Sequence, residues 1–198
     1  MLSYSYVLQK CSTVKIRPIN SSIALWLFCL SLATTASAQQ SGPVFASEAR
    51  AIVAGLPAVA DARAVNGASL ENKPVLVTFF ASWCPPCREE FAHLNELRQE
   101  FADSDLQIIA INVHEAWDEN DAIRMKKFID TTKPSFPAVV GSKEIRDLFG
   151  GIDRIPTVYG FSRSGEHVYR FIHKRGSKKT NASFDELKNA AKNLLLTD

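Results

Sequence analysis

The strongest constraint on the fold is the succession of apolar segments that begins at Pro74. Residues 74–80 form a compact β-branched and aromatic run, whose near-continuous apolarity predicts a strand covered on both faces. Apolar side chains then recur at helical spacing through residues 86–101, and residues 106–113 form a second run typical of a buried strand. A strand, a helix and a second strand in this order indicate an α/β architecture.

The rest of the chain continues this alternation and then ends it with a hairpin. The further predicted elements are short helices at 45–56 and 142–149, a helix at 118–131, a short strand at 136–140, a hairpin of strands at 157–161 and 167–172, and a helix at 183–196. We expect Ile123, Phe128 and Ile129 to form the apolar face of the helix at 118–131, and Ser183 to cap the helix at 183–196. Alternation followed by a hairpin predicts a mixed central sheet with helices on both faces.

The first 38 residues have the layout of a secretory signal peptide. A positive region without acidic residues precedes a short apolar run at 23–33, and residues 36–38 supply the small-x-small pattern of a cleavage site. The apolar run is shorter than the roughly 20 residues that a membrane-spanning helix needs. We therefore expect export to the periplasm with cleavage after Ala38, and an uncleaved anchor that leaves the protein facing the periplasm is the alternative.

Loss of this segment would change the charge and the cysteine content of the chain. It carries three of the 23 basic residues and none of the 21 acidic ones, so the mature chain would be close to neutral. A near-neutral domain gives no electrostatic reason to expect nucleic-acid binding. Of the four cysteines, only Cys84 and Cys87 would remain. Because so close a pair cannot join distant segments, we interpret it as reactive rather than structural.

The two cysteines lie where a predicted strand ends and a predicted helix begins. A helix N-terminus lowers the pKa of a thiol, and a second thiol with two residues between can resolve a mixed disulfide. The spacing therefore predicts thiol–disulfide exchange through Cys84 and Cys87. A zinc site would need further ligands, and the sequence has no second CxxC and no close pair of histidines. A structural disulfide without redox function is a further alternative.

A family resemblance makes this prediction more specific. The segment FFASWCPPCREE, residues 79–90, resembles the active-site region of the thioredoxin superfamily, in particular its extracytoplasmic TlpA/ResA/CcmG-like branch. Residues 155–157 (Ile-Pro-Thr) resemble the second signature of that family, a loop with a cis-proline opposite the cysteines. The resemblance implies a thioredoxin-like α/β domain at 68–198, preceded by an N-terminal extension at 39–67.

The resemblance also implies a role for each matching residue. Catalytic roles would fall to Cys84, Cys87 and Glu90, and substrate-binding roles to Trp83, Pro85, Pro86, Ile155 and Pro156. Cys84 would be the exposed attacking thiol, and Cys87 the deeper thiol that resolves the mixed disulfide. Ile155 would present its backbone to an extended substrate beside a cis-Pro156.

Two positions set this chain apart from cytoplasmic thioredoxin. That protein has a buried aspartate at the position of Thr78, whose hydroxyl cannot do acid–base work near neutral pH. Glu90, one helical turn after Cys87, matches an acidic residue typical of the extracytoplasmic branch. We expect Glu90 to carry the proton of Cys87, and the alternative is a solvated carboxylate on the helix surface. The branch often has a proline soon after this glutamate, and Ala92 in its place predicts a helix without a kink.

The residues between the cysteines favour one direction of electron flow. Pro85 and Pro86 have no N–H groups, so the pKa of the Cys84 thiol should be less depressed than in a strong oxidant. A less stabilised thiolate favours the disulfide and therefore a reductant, although the charge of Arg88 acts in the opposite direction. A disulfide oxidant or isomerase, and a non-catalytic module that binds cysteine-containing clients, are the alternatives.

The resemblance implies partners rather than a bound cofactor. A reductase in an oxidising compartment needs electrons from outside, which implies a membrane electron donor of the DsbD type. Its clients would be cysteine-containing proteins, such as apocytochromes in cytochrome c biogenesis. We expect a monomer that binds no nucleic acid and no metal, with the Cys84–Cys87 disulfide as its redox group.

Overall fold

The computed structural model describes residues 43–197, so the predicted signal peptide lies outside the described residues. Its elements are α1 (Ser47–Ala54), β1 (Val75–Phe80), α2 (Pro85–Glu100), β2 (Gln107–Asn112), α3 (Glu119–Thr132), β3 (Ala138–Val140), α4 (Lys143–Leu148), β4 (Thr157–Phe161), β5 (His167–Ile172) and α5 (Phe184–Leu196). None of the helices within this part of the chain is long and apolar enough to cross a membrane.

The five strands form one mixed sheet in the order β3-β2-β1-β4-β5. Strand β1 pairs in parallel with β2, which pairs in parallel with β3, whereas β4 runs antiparallel to both β1 and β5. All six residues of β1 are buried. The near-continuous apolarity of this segment therefore reflects a central strand covered on both faces, and the predicted mixed sheet is confirmed.

Successive aromatic residues at the end of β1 belong to different layers of the core. Phe80 packs against Phe91 of α2 and Phe128 of α3, with ring centroids 4.8 Å and 5.2 Å away. Phe79 packs against Phe149, which follows α4, at 5.0 Å. Because neighbouring side chains in a strand point to opposite faces, these contacts place helices on both sides of the sheet, as predicted.

The segment before β1 shares the core of the domain that follows it. The buried guanidinium of Arg50 donates hydrogen bonds to five backbone carbonyls, those of Phe45, Leu70, Lys73, Ser162 and Arg163. The ring of Phe45 contacts the ring of Phe161, with centroids 5.2 Å apart. Part of the predicted N-terminal extension is thus fastened to the turn between β4 and β5.

The predicted elements are present with small shifts at their ends, and one residue of the predicted apolar face of α3 is wrong. Ile123 is 63% exposed, and the buried apolar face of α3 consists of Met125, Phe128 and Ile129. Five residues of helix separate Ile123 from Phe128, which rotates their side chains well apart. The expected cap of α5 is present, since Ser183 forms a capping box with Glu186.

Candidate active site

The cysteine pair lies where β1 leaves the centre of the sheet and α2 begins. Cys84 is the N-cap residue of α2, and its Sγ accepts a hydrogen bond from the backbone N–H of Cys87 at 3.2 Å. The two sulfurs are 2.06 Å apart and the two Cα atoms 5.3 Å apart. The structure therefore holds the oxidised form of the site, with both sulfurs at the helix N-terminus.

The disulfide itself is nearly enclosed by its surroundings. Cys84 is only 3% exposed and Cys87 is completely buried, so the expectation of an exposed Cys84 is wrong for the oxidised form. The residues on either side of Cys84 are open to solvent instead: Trp83 is 50% exposed, and Pro85 is exposed as well. Trp83 and Pro85 are therefore the solvent-facing residues next to Cys84.

The two prolines limit the backbone donors available to the first sulfur. Pro85 and Pro86 occupy the first two positions of α2 and have no N–H groups. The N–H of Cys87 is the backbone group that donates to Cys84 Sγ in this structure. The guanidinium of Arg88 lies over the ring of Phe128, 5.7 Å from its centroid.

Glu90 lies on the buried face of α2, three residues after Cys87. Its side chain is completely buried, so the alternative of a solvated surface carboxylate is wrong. Oε1 accepts a hydrogen bond from Thr78 Oγ1 at 2.5 Å, whereas Oε2 makes no hydrogen bond with the described residues. Burial raises the pKa of Glu90 to about 7, against the opposing effects of the Thr78 hydroxyl and the Ala182 backbone.

Sequence reasoning missed the partner of this glutamate. The sequence indicates only that Thr78 cannot perform the acid–base role of an aspartate, whereas in the structure its hydroxyl donates a hydrogen bond to Glu90. Burial also raises the pKa of Tyr169 in β5, and the charges of Glu186 and Glu90 act in the same direction. No local pattern links these residues, because they come from a strand, a helix and the far hairpin.

The loop before β4 lies beside the end of β1. Thr157, the first residue of β4, pairs with Phe79. Residues 155–156 therefore reach the edge of the sheet from which the cysteine loop, residues 81–84, departs. The Ile155–Pro156 peptide bond is cis. His173 holds this loop from β5: its backbone N–H donates to the carbonyl of Pro156 and its Nδ1 to the carbonyl of Ile155, both at 3.1 Å.

A second loop at the same edge was not recognised from the sequence. Ser82 N–H donates to the carboxylate of Glu115, and Trp83 Nε1 donates to the carbonyl of His114. The carboxyl ends of parallel strands β1 and β2 meet at one edge of the sheet, which brings the two following loops together. The available signal is a glutamate two residues after the predicted buried strand at 106–113.

The residues that the structure describes show no cluster of histidine, cysteine, aspartate or glutamate side chains arranged to hold a metal ion. The two cysteines bond to each other instead. The geometry thus supports an exchange reaction between sulfur atoms, in which one disulfide replaces another.

Comparison with known proteins agrees with this reading of the fold. The sequence matches the model of the AhpC/TSA family over residues 49–167. It is 33% identical over 103 residues to "Thioredoxin-like protein YneN" of Bacillus subtilis, covering 52% of this chain and 57% of that protein. It is 32% identical over 100 residues to "Thiol-disulfide oxidoreductase ResA" of Halalkalibacterium halodurans, covering 50% and 53%. The chain thus spans a little more than half the length of these curated relatives.

Solved structures show the same architecture. A thiol:disulfide interchange protein of the thioredoxin family from Chlorobium tepidum superposes with a TM-score of 0.57 at 26% identity, over 70% of this chain and 90% of that one. A secreted Mycobacterium tuberculosis disulfide oxidoreductase has a TM-score of 0.56 over 70% and 94%, and its 19% identity shows the fold alone. The fold is thioredoxin-like, and because the family match covers more than half of the sequence, the chain belongs to the AhpC/TSA family.

Proposed function

We propose that this chain is an extracytoplasmic thiol–disulfide oxidoreductase that reduces protein disulfides by dithiol exchange through Cys84 and Cys87. The observation that carries the proposal is the disulfide between these residues at the N-terminus of α2, at the sheet edge reached by the Ile155–Pro156 loop. Relatives that bear the name thiol-disulfide oxidoreductase support it. The predicted signal peptide supports the location outside the cytoplasm.

The exchange begins from the reduced form of the site. The thiolate of Cys84 attacks one sulfur of a client disulfide, so that a Cys84–client bond forms and the other client sulfur leaves as a thiolate. The thiolate of Cys87 then attacks Cys84 Sγ and releases the second client sulfur. The client gains two electrons and two protons, and the protein is left with the Cys84–Cys87 disulfide seen in the structure.

Glu90 is the group that takes up the proton of Cys87 before the second attack. Cys87 is completely buried, so its thiol cannot lose a proton directly to bulk water. A carboxyl group whose pKa lies at about 7 can accept and return a proton near neutral pH with little cost. Glu90 occupies the next turn of the same helix, where i and i+3 side chains are neighbours.

Clients would bind across the exposed surface beside the disulfide. Trp83 and Pro85 present apolar area to solvent next to Cys84, and Pro86 is half-buried behind them. An extended client segment would pair with the backbone of Ile155, which is held in place by His173. Extended peptides commonly bind in this way, through main-chain hydrogen bonds along an exposed backbone.

The direction of electron flow follows from the donors around Cys84. With Pro85 and Pro86 at the helix start, the thiolate has few backbone donors, which favours the disulfide and makes the dithiol a reductant. The partners would then be cysteine-containing client proteins, such as apocytochromes, and a membrane electron donor of the DsbD type. The protein would act as a monomer, without nucleic acid and without a bound cofactor beyond its own disulfide.

An insulin-reduction assay with the full chain tests the activity. We expect turnover in the wild type, none in Cys84→Ser, and accumulation of mixed disulfides in Cys87→Ala. The Cys11→Ser/Cys29→Ser double variant is the matched control and should keep full activity, because these cysteines lie in the predicted signal peptide. Insulin reduction by Cys84→Ser would show that the proposed mechanism is wrong.

The redox potential, measured against glutathione, separates the two directions of exchange. We expect a value nearer to that of thioredoxin, about −270 mV, than to that of DsbA, about −120 mV. A potential above roughly −160 mV would identify an oxidant instead. A chain that binds clients without any turnover would be a binding module.

A further inference from the structure

Glu115, in the loop between β2 and α3, is a buried carboxylate with a complete set of partners. Its side chain has no solvent exposure. Oε1 accepts hydrogen bonds from the backbone N–H of Ser82 at 2.5 Å and from Asn112 Nδ2 at 3.4 Å, and Oε2 is 3.3 Å from the guanidinium of Arg124. Burying a carboxylate is costly unless it is paired, and the partners of both Glu115 oxygens offset that cost.

Arg124 forms a second link between the carboxylate of Glu115 and Ser82. Its Nε donates to the hydroxyl of Ser82 at 2.9 Å, and its terminal nitrogen also pairs with Asp121. Asp121 in turn accepts two backbone N–H groups of the loop that contains Glu115. Both polar groups of Ser82, its N–H and its hydroxyl, are therefore held by one cluster, defined here as Glu115, Asp121 and Arg124.

The next residue along the chain is tied to the same loop. Trp83 Nε1 donates to the carbonyl of His114 at 3.1 Å. The two residues immediately before Cys84 are thus anchored to two consecutive residues of the β2–α3 loop, His114 and Glu115. The position of the loop that leads into the disulfide is set from outside by these contacts, as well as by the turn in which Cys84 N–H donates to Ala81.

These contacts bear directly on the stability of the reduced site. The N–H of Ser82, two residues before Cys84, is a donor that Glu115 already engages. The guanidinium of Arg124 is likewise engaged within the cluster, by Glu115 and Asp121. In addition, two carboxylates share one guanidinium, so the cluster carries a net negative charge beside a site where reduction creates a thiolate. The charge of Arg88, the residue after Cys87 in α2, acts in the opposite direction. A like charge disfavours an ionised group nearby.

We propose that Glu115 is a positioning residue for Cys84, which fixes the loop before it and holds the equilibrium of the Cys84–Cys87 pair on the disulfide side. The proposal deepens the reductase function above and relies on it for the direction of exchange. Glu115 does not touch the client and is not a catalytic residue. It acts through Ser82, by engaging a backbone donor, and through the charge of the cluster.

The first test replaces the charge and keeps the shape. Glu115→Gln can still accept the hydrogen bond of Ser82 but removes one negative charge. We expect the equilibrium constant for reduction of the protein disulfide by glutathione, measured at about pH 8, to rise by up to about tenfold, the change that corresponds to one pKa unit of a thiol. Cys84 should also alkylate faster at neutral pH. Glu89→Gln, an exposed carboxylate on α2, is the matched control and should leave both values close to those of the wild type.

The second test removes the positive charge of the cluster, whereas the first test removes a negative one. Arg124→Gln leaves both carboxylates without their guanidinium, so the same equilibrium constant should fall below that of the wild type. A general loosening of the loop would shift both variants in one direction, whereas the proposal requires opposite directions. Shifts of the same sign, or a wild-type constant in Glu115→Gln, would overturn it. If Glu115→Gln does not fold, the sign of the Arg124→Gln shift decides.

The test of the role of Glu115 and the test of the proposed reductase activity can fail independently of each other. The glutathione equilibrium is measured on the protein alone, without any client. A chain that fails to reduce insulin but shows the two opposite shifts would retain the role of Glu115 and lose the proposed activity. A chain that reduces insulin through Cys84 but shows no shift would retain the activity and lose the role of Glu115.

Discussion

Thr78 Oγ1 lies 2.5 Å from Glu90 Oε1, so a hydroxyl of the central strand β1 donates its hydrogen bond to a fully buried carboxyl of α2. Cytoplasmic thioredoxin has an aspartate at the strand position, whereas here the carboxyl group comes from the helix and the strand supplies its partner. The buried acidic group of this chain therefore comes from α2 and not from β1. This pairing leads to the first three predictions.

Glu90→Gln should slow the resolving step and remove its dependence on pH near neutrality. The decay of a Cys84 mixed disulfide, which requires the Cys87 thiolate, should be slower by about a hundredfold, within the usual range for loss of a general base. The wild-type rate should rise with pH around the pKa of Glu90, about 7. Glu89→Gln is the control for a carboxylate in the same turn. An unchanged pH profile in Glu90→Gln would exclude the proposed proton transfer.

Thr78→Val should move that profile to higher pH. The Thr78 hydroxyl lowers the pKa of Glu90, so its removal should raise that pKa further. Glu90 can accept a proton only in its ionised form, which would then need a more alkaline solution. Thr78→Ser restores a hydroxyl and should bring the profile back. Stopped-flow measurement of the resolving step over a range of pH distinguishes the variants. A shift to lower pH would contradict the assigned direction of the hydrogen bond.

Glu90 should also make folding stability fall as pH rises. Its pKa increases from 4.5 in the unfolded chain to about 7 in the folded one, so the folded state binds more protons between these values. The stabilisation is fully present below pH 4.5 and is lost as pH rises through about 7, by at most about 3 kcal/mol. Urea denaturation at about pH 5 and about pH 8 should show this loss in the wild type and not in Glu90→Gln. Equal losses in the two proteins would rule out Glu90 as its source.

Gly165→Ala should weaken the attachment of the N-terminal segment. Gly165 has a φ of +87°, and a Cβ there would lie 2.4 Å from the carbonyl oxygen of Phe45, whose N–H bonds to Gly165. Gly176 has a similar φ of +76° with no atom near its absent side chain. We expect Gly176→Ala to cost about 1 kcal/mol in the free energy of unfolding, from backbone strain alone. Gly165→Ala should cost clearly more, and equal costs measured by urea denaturation would show that the contact with Phe45 is unimportant.

His173→Leu should weaken client binding through the Ile155 loop. The Nδ1 of His173 donates to the carbonyl of Ile155, the residue whose backbone we expect to pair with an extended client. Without this donor the loop is less well placed, so KM for a disulfide peptide should rise by several-fold with kcat little changed. His173→Asn keeps a side-chain donor and should recover part of the affinity. An unchanged KM in His173→Leu would remove the loop from the binding site.

Periodicity and local chemistry were sufficient to predict most of the fold. Strands β1 and β2 were recognisable because a strand buried on both faces must be apolar along its whole length. The start of α5 followed from the capping box at Ser183. The face of α3 was misplaced because Ile123 is apolar yet exposed, and an isolated apolar residue on a surface has no periodic signature.

Local chemistry predicted the candidate active site where its residues are close in the sequence, whereas the Ile155–Pro156 loop was expected from the family resemblance alone. Cys84, Cys87 and Glu90 lie within two turns of one helix start, so their proximity follows from helix geometry. The anchoring of Ser82 by Glu115 was not predicted, since 33 positions separate the two residues. The exposure of Cys84 was also misjudged, because it depends on what the neighbouring loops cover.

The sequence alone determined that β1 is a central buried strand, that α2 begins at a cysteine pair, and that the two sulfurs can bond, because each of these depends on residues within a few positions of one another. The tertiary structure decided what surrounds the sulfurs. Parallel pairing of β1 with β2 brings Glu115 beneath Ser82, and the packing of α2 on the sheet buries Glu90 against Thr78. Burial and long-range hydrogen bonds set the protonation of a carboxyl group, and both arise only when distant segments meet.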